Sequence, residues 1–86
     1  MSRLIPAAER ISRARDLIQQ ARQIPVPPTT GWSDFSYVAQ VRDVLRQARD
    51  LIKLIGYSAG ASIDLKREAA QVNEEIEQAE REILHR

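Results

Sequence analysis

The sequence predicts an all-α chain that folds as an antiparallel up-down-up three-helix bundle. Three segments carry apolar residues at alternating spacings of three and four, and two segments containing glycine, serine or proline separate them. Such spacing keeps one apolar stripe of a helix facing its neighbours. No stretch shows the apolar–polar alternation of a half-buried strand, so we expect no sheet.

Helix 1 is predicted over about residues 3–24, because a proline at position 25 disfavours the α conformation in the residue ahead of it. Its apolar stripe consists of Leu4, Ala7, Ile11, Ala14, Ile18 and Ala21. Every second member is an alanine, and small side chains let a neighbouring helix approach closely. Leu17 and Ile24 widen the stripe on one side.

A proline-rich connection is predicted over 25–33 and helix 2 over about 34–55, with Ser33 or Asp34 as its N-terminal cap. The stripe of helix 2 consists of Val38, Val41, Leu45, Ala48, Ile52 and Ile55. Tyr37, Val44 and Leu51 widen it on the side that we expect to meet the wider side of helix 1. Gly56 is expected to end the helix in the left-handed conformation.

A second connection is predicted over 56–61 and helix 3 over about 62–85, with Ser62 or Asp64 at its start. The stripe of helix 3 consists of Leu65, Ala69, Val72, Ile76, Ala79 and Ile83. The widened stripes of helices 1 and 2 are typical of globular bundles, whose stripes are broader than the seam of a two-stranded coiled coil.

Charged residues beside the stripes predict how the helices pair. Helix 3 places acidic residues at one flanking position, seven apart: Glu68, Glu75 and Glu82. Helix 1 offers Arg15 and Arg22 at the complementary flank, and helices 1 and 3 run parallel in an up-down-up bundle, so we expect these charges to pair. Arg42 and Arg49 of helix 2 are expected to face helix 3 near Glu80.

Composition excludes several classes of function. The 86 residues suit one domain spanning 1–86, and they include no cysteine and one histidine, so we expect no disulfide, no thiolate zinc site and no cysteine nucleophile. Glu82 and His85 have the Glu-x-x-His spacing of di-iron bundles, but they lie at a polar helix end without a second inward carboxylate. We therefore predict no metal, no cofactor and no enzymatic activity.

No apolar run is long enough to span a membrane, and we expect a cytoplasmic location.

The remaining expectation is a module for protein–protein interaction or self-association, with a homodimer compensating for a small core. The candidate interaction surface is the alanine side of helix 1 together with the aromatic start of helix 2: Ala7, Ala14, Ala21, Trp32, Phe35 and Tyr37.

An alternative is a nucleic-acid-binding accessory protein. Helix 1 carries a row of cationic side chains that forms a possible anion-binding face: Arg3, Arg10, Arg13 and Arg22. Clustered arginines are what phosphate backbones or an anionic membrane surface bind. Against this, 13 basic and 12 acidic residues give a net charge of +1, and the acids of helix 3 would neutralise much of the field.

Overall fold

A computed structural model of the chain describes residues 6–28, 32–57 and 60–84. These ranges contain the helices α1 (Ala7–Gln23), α2 (Trp32–Ile52) and α3 (Ile63–Leu84), and a one-turn 3-10 helix at Ile55–Tyr57. The three α-helices pack against one another, and no strand occurs within the described ranges. The predicted all-α three-helix bundle is confirmed. None of the described helices combines the length and the apolarity needed to cross a bilayer.

Contacts between helices fix their directions. Arg15 bonds to Glu75, and Arg22 bonds to Glu82, and both pairs are 60 residues apart in the chain. A constant separation is possible only when two helices run in the same direction, so α1 and α3 are parallel. A hydrogen bond from Arg10 near the start of α1 to the carbonyl of Leu51 near the end of α2 shows that α2 runs the opposite way. The order is therefore up, down, up.

The core is built from the predicted stripes. Within the described ranges, each stripe residue is either buried or partly buried against the core, while Leu4 lies outside those ranges. The largest fully buried side chains are Leu45, Ile76, Val41 and Val72. No polar or charged side chain of the described residues is buried. Apolar burial from all three helices therefore holds the bundle together.

The broadest of the helix–helix interfaces joins α1 and α2. Ala14 and Ala21 of α1 have no exposed surface, and neither has Ala48 of α2. The small side chains bring the helices close, as helix packing geometry predicts. Beside this seam, Leu17 and Leu51 line one shallow depression, so the widened sides of the two helices meet.

The first two helix boundaries differ in part from the predicted ones. α1 begins after Pro6, whose extended conformation (φ −57°, ψ 147°) precedes the first turn. It ends at Gln23, and Ile24 is extended ahead of the proline at 25, as predicted. α2 begins at Trp32, so Ser33 lies inside its first turn and is not the cap. The side chains of residues 32–34 are not among those described.

The end of α2 corrects the expected role of Gly56. The α-helix stops at Ile52, and the chain tightens into the 3-10 helix, where the amide of Tyr57 bonds to the carbonyl of Leu54 at 3.2 Å. Gly56 lies in this 3-10 helix and does not take the left-handed conformation. Ile55 is buried in the core within this tighter turn, as the stripe of helix 2 predicts.

The start of α3 follows the predicted cap. The hydroxyl oxygen of Ser62 accepts a hydrogen bond from the amide of Leu65 at 3.1 Å. This bond satisfies one of the amides that have no partner in the first turn of a helix. α3 then continues to Leu84, and His85 lies outside the described residues.

A larger side chain at a closely packed alanine tests the α1–α2 seam. We expect Ala14→Leu to lower the free energy of unfolding by about 1–3 kcal/mol or more, because there is no space at this fully buried position. Ala8→Leu is the matched control, since Ala8 is an exposed residue of the same helix. Urea unfolding followed by circular dichroism measures both. Equal effects of the two substitutions would contradict the close approach.

Candidate functional site

The alanine side of α1 lies inside the bundle. Ala14 and Ala21 have no exposed surface, and Ala7 is partly buried against the core. Their own chain supplies the helices that cover them, because the three stripes pack together within one copy. This corrects the expected placement of these alanines on an outer surface, and we leave them out of the candidate interaction surface.

The aromatic start of α2 is divided. Tyr37 is buried in the core, whereas the Phe35 side chain is 71% exposed. The Trp32 side chain is outside the part of the chain that the structure describes. Of the predicted aromatic end, Phe35 is therefore the residue that the structure places on the surface.

The arginines of α1 contact acceptors within the chain. Arg13 pairs with Glu9 at 3.0 Å, and a terminal nitrogen of Arg10 donates to the Leu51 carbonyl at 3.4 Å. Arg22 pairs with Glu82 at 2.9 Å. Arg3 lies outside the described residues. The candidate anion-binding face is thus partly neutralised by the chain's own carboxylates.

The predicted charge pairs between α1 and α3 are confirmed. Arg15 lies 3.6 Å from the carboxylate of Glu68 and 3.4 Å from that of Glu75, and Arg22 bonds to Glu82. All three glutamates of the flank are therefore engaged by α1. Each pair is at least partly exposed, so each contributes at most about 1 kcal/mol. Their regular spacing favours one register of the parallel helices.

Hydrogen bonds tune the acidity of the last carboxylate in this row. Glu82 accepts from Arg22 at 2.9 Å and from Gln78 at 3.0 Å. The bond from Arg22 is the larger cause, and together these bonds hold the pKa of the Glu82 carboxyl below its ordinary value. Glu82 is thus committed to the bundle, and among the described residues no group of three or more potential metal ligands occurs.

Arg42 and Arg49 of α2 are predicted to face α3 near Glu80. In the part of the chain that is described, no ion pair joins either arginine to Glu80. Arg46 of α2 pairs with Asp43 of the same helix at 2.8 Å. Among the described residues no ion pair joins α2 to α3, and the buried side chains of both helices are apolar.

A groove opens along this boundary at the end of α2. Its volume is about 350 Å³, and it is lined by Ile52, Lys53, Gly56, Tyr57, Lys66, Ala69, Ala70 and Asn73. Ile52 and Ala69 are buried and form its apolar floor. The hollow exists because Gly56, Ala69 and Ala70 have small side chains or none, while the larger Tyr57 and the two lysines stand at its rim.

Large apolar side chains are exposed around the groove. Tyr57 is 88% exposed, and Ile63 is 69% exposed. Ile63 lies three residues before Lys66 and seven before Ala70, so it shares the face of α3 that borders the groove. Leu54 is also exposed at this end of the bundle, but it does not line the groove.

Tyr57 and Ile63 were not singled out by the sequence reasoning. Both are large apolar residues outside the alternating pattern: Tyr57 lies in the predicted connection, and Ile63 lies two residues ahead of the first stripe residue of helix 3. A large apolar residue that lies outside a stripe is the sequence signal that could have identified them as exposed. Apolar periodicity predicts the residues that a helix buries. It does not identify apolar residues that the helix leaves exposed.

Comparison with protein-family models, with curated proteins and with solved structures finds no match to this chain.

Removing the arginine partner of Glu82 tests the ion pair. In Arg22→Ala, we expect the pKa of the Glu82 carboxyl to rise toward its ordinary value, measured by NMR titration of the side-chain carboxyl. Because the folded-state pKa is lowered in the wild type, the pair stabilises the bundle above the unfolded-state pKa, and this stabilisation is lost as the pH falls through the lowered pKa. Arg13→Ala is the control. An unchanged Glu82 pKa in Arg22→Ala would contradict the assignment.

Proposed function

We propose that this chain is a non-enzymatic helical module that binds protein through the side of the bundle formed by α2 and α3. We call this surface the α2–α3 face; it comprises the groove together with three residues of α3 beside it, Ile63, Glu77 and Glu80. Glu77 lies seven residues after Ala70, and Glu80 seven after Asn73, so both continue the rows of α3 that border the groove.

The exposure of Tyr57 and Ile63 beside an apolar hollow carries this proposal. Contiguous apolar surface rimmed by polar residues marks interaction sites in soluble proteins. Tyrosine is enriched at interfaces, because its ring is apolar while its hydroxyl tolerates water. Here the tyrosine is 88% exposed and stands against a groove with an apolar floor, so a partner side chain has both a hollow to fill and a ring to pack against.

The groove lining favours binding over catalysis. Apolar and small side chains make up half of it, and its polar groups are two lysines, an asparagine and the hydroxyl of Tyr57, with no carboxylate or histidine. General acid–base chemistry uses titratable groups placed within reach of one another in a cleft. The lining instead has an apolar centre and a charged rim, which is the usual arrangement of a protein interface.

We propose the cytoplasm as the location of this module.

Nucleic-acid binding is the second candidate and has weaker support. Arg13, Arg15 and Arg22 each contact a carboxylate of the same chain. A phosphate backbone would have to displace these carboxylates before it gained the same contacts. Affinity for phosphate depends on releasing counterions from accessible cationic groups, so the pairs reduce what α1 offers.

Polar substitution at the groove rim tests the proposal. We expect the double variant Tyr57→Ser/Ile63→Ser to recover at least about tenfold less bound protein than the wild type when each is used as tagged bait, since hot-spot residues at the centre of an interface cost about 2 kcal/mol or more when truncated. Quantitative mass spectrometry of the bound fraction, including untagged copies of the chain itself, measures the difference.

Leu54→Ser is the matched control, because Leu54 is similarly exposed at the same end of the bundle but outside the groove. Circular dichroism verifies that all three proteins are folded. Equal recovery by the wild type and the double variant would contradict the α2–α3 face as the binding surface. Salt-dependent retention on heparin that is lost in Arg10→Ala/Arg13→Ala would favour the nucleic-acid candidate instead.

A further inference from the structure

Two basic residues lie partly buried beside the groove without a carboxylate partner. Lys66 lines the groove, and Arg49 lies seven residues before Gly56, in the row of α2 that borders it. Neither basic residue forms an ion pair within the described part of the chain. Charges that are partly withdrawn from water are screened much less than exposed ones, so these two have the largest effect on the field at the groove.

Exposed charges on the same side of the bundle nearly balance one another. The rows of α2 and α3 that turn away from α1 carry five exposed basic residues: Arg42, Arg46, Lys53, Arg67 and Arg81. The same rows carry four exposed acidic residues: Asp43, Asp50, Glu74 and Glu77. Two of these acids already pair with basic residues of α2, at 2.8 and 3.3 Å. The exposed charges therefore leave the two partly buried cations uncompensated.

The remaining carboxylates of α3 lie far from the groove or on another side of the helix. The partly buried Glu80 lies 14 residues after Lys66, about 21 Å along the helix at ~1.5 Å per residue, which exceeds a Debye length of about 8 Å. The three glutamates of the flank toward α1 are paired there, and Asp64 lies one turn before the first of them. In all, the side that turns away from α1 carries seven basic and five acidic residues, and its positive surplus lies at the groove.

The groove also offers an apolar hollow to a partner. Ile52 and Ala69 form its floor, and its volume of about 350 Å³ is at the small end of the range of ligand pockets, about 300–1,000 Å³. A space of this size suits a large side chain. Tyr57 and Ile63 are exposed beside the hollow and can bury apolar surface against the same side chain.

We propose that the partner of the α2–α3 face is an acidic segment of another protein. The segment places a large apolar side chain in the groove and its carboxylates beside Lys66 and Arg49. The inference rests on the proposed function and specifies the chemistry of the partner. Opposite charges around an apolar contact speed the encounter and exclude partners of the wrong sign.

The apolar hollow favours such a segment over other anions. A phosphate backbone supplies negative charge but no apolar side chain for the hollow. An anionic membrane presents a broad surface, which does not reach the floor of a groove between two helices. An apolar side chain flanked by carboxylates satisfies both the floor and the cations.

Selection from a phage-displayed library of random peptides tests the chemistry of the partner. We expect the immobilised wild type to enrich peptides that carry a large apolar residue flanked by aspartate or glutamate. Lys66→Glu/Arg49→Glu reverses the charges beside the groove, so it is expected to enrich basic peptides instead. Sequencing of the bound phage gives the net charge of the enriched peptides for each bait.

The affinity of a synthetic peptide recovered with the wild type gives a second measurement. We expect its Kd to be at least about tenfold weaker for Lys66→Glu alone, measured by isothermal titration calorimetry. This single variant preserves the test if the double variant does not fold, because an acid in the first turn of α3 agrees with the helix dipole. Circular dichroism verifies the fold of every variant.

Arg42→Glu/Arg81→Glu is the matched control. It reverses two exposed cations on the same side of the bundle that do not line the groove. We expect it to enrich the same acidic peptides as the wild type.

Acidic peptides on the wild type, and basic ones on the reversed variant, support the inference. Enrichment of neutral or basic peptides by the wild type, or no enrichment over a surface without bait, overturns it. Binding to phosphatidylserine vesicles or to heparin that is lost in Lys66→Glu, without enrichment of acidic peptides, also overturns it and assigns these cations to lipid or to a polyanion. The interaction role is tested separately by protein recovery, and neutral peptides that require Tyr57 and Ile63 would leave that role standing.

Discussion

Burial of three apolar stripes within one chain is the constraint on which the structure depends. Each stripe of threes and fours covers one side of a helix, and an isolated helix of this length cannot shield it. Alanines in α1 allow α2 to approach closely, and larger residues of α2 and α3, such as Leu45 and Ile76, fill the centre. With the stripes packed against one another, Ala14 and Ala21 of α1 have no exposed surface.

Charges then select among the ways in which such stripes can pack. Individually the exposed pairs between α1 and α3 are weak, but three acidic residues at a seven-residue spacing meet two arginines in one register. A reversed or shifted α3 would lose the whole row. On the other side of the same helix, Lys66, Glu77 and Glu80 form no ion pair among the described residues. The charges of α3 that select the packing therefore lie on the side toward α1.

Periodicity was enough to predict the fold, the core and the α1–α3 pairs, because these depend on spacing along regular helices. It failed at Gly56, where the chain forms a 3-10 turn in place of the left-handed stop. It does not determine the ion pairs of Arg42 and Arg49, because a long side chain at the surface can be solvated instead of paired. Tyr57 and Ile63 could not be assigned to the surface from spacing alone, because exposure depends on where the chain turns between α2 and α3.

The free energy of unfolding of Ile76→Ala tests most directly whether the three stripes share one core. Ile76 is fully buried at the centre of α3, so the account predicts a loss of about 2–5 kcal/mol, or an unfolded chain, in urea titrations followed by circular dichroism. The exposed neighbour substitution Glu77→Ala is predicted to change it by less than about 0.5 kcal/mol. Similar unfolding midpoints for Ile76→Ala and the wild type would contradict a core shared by all three helices.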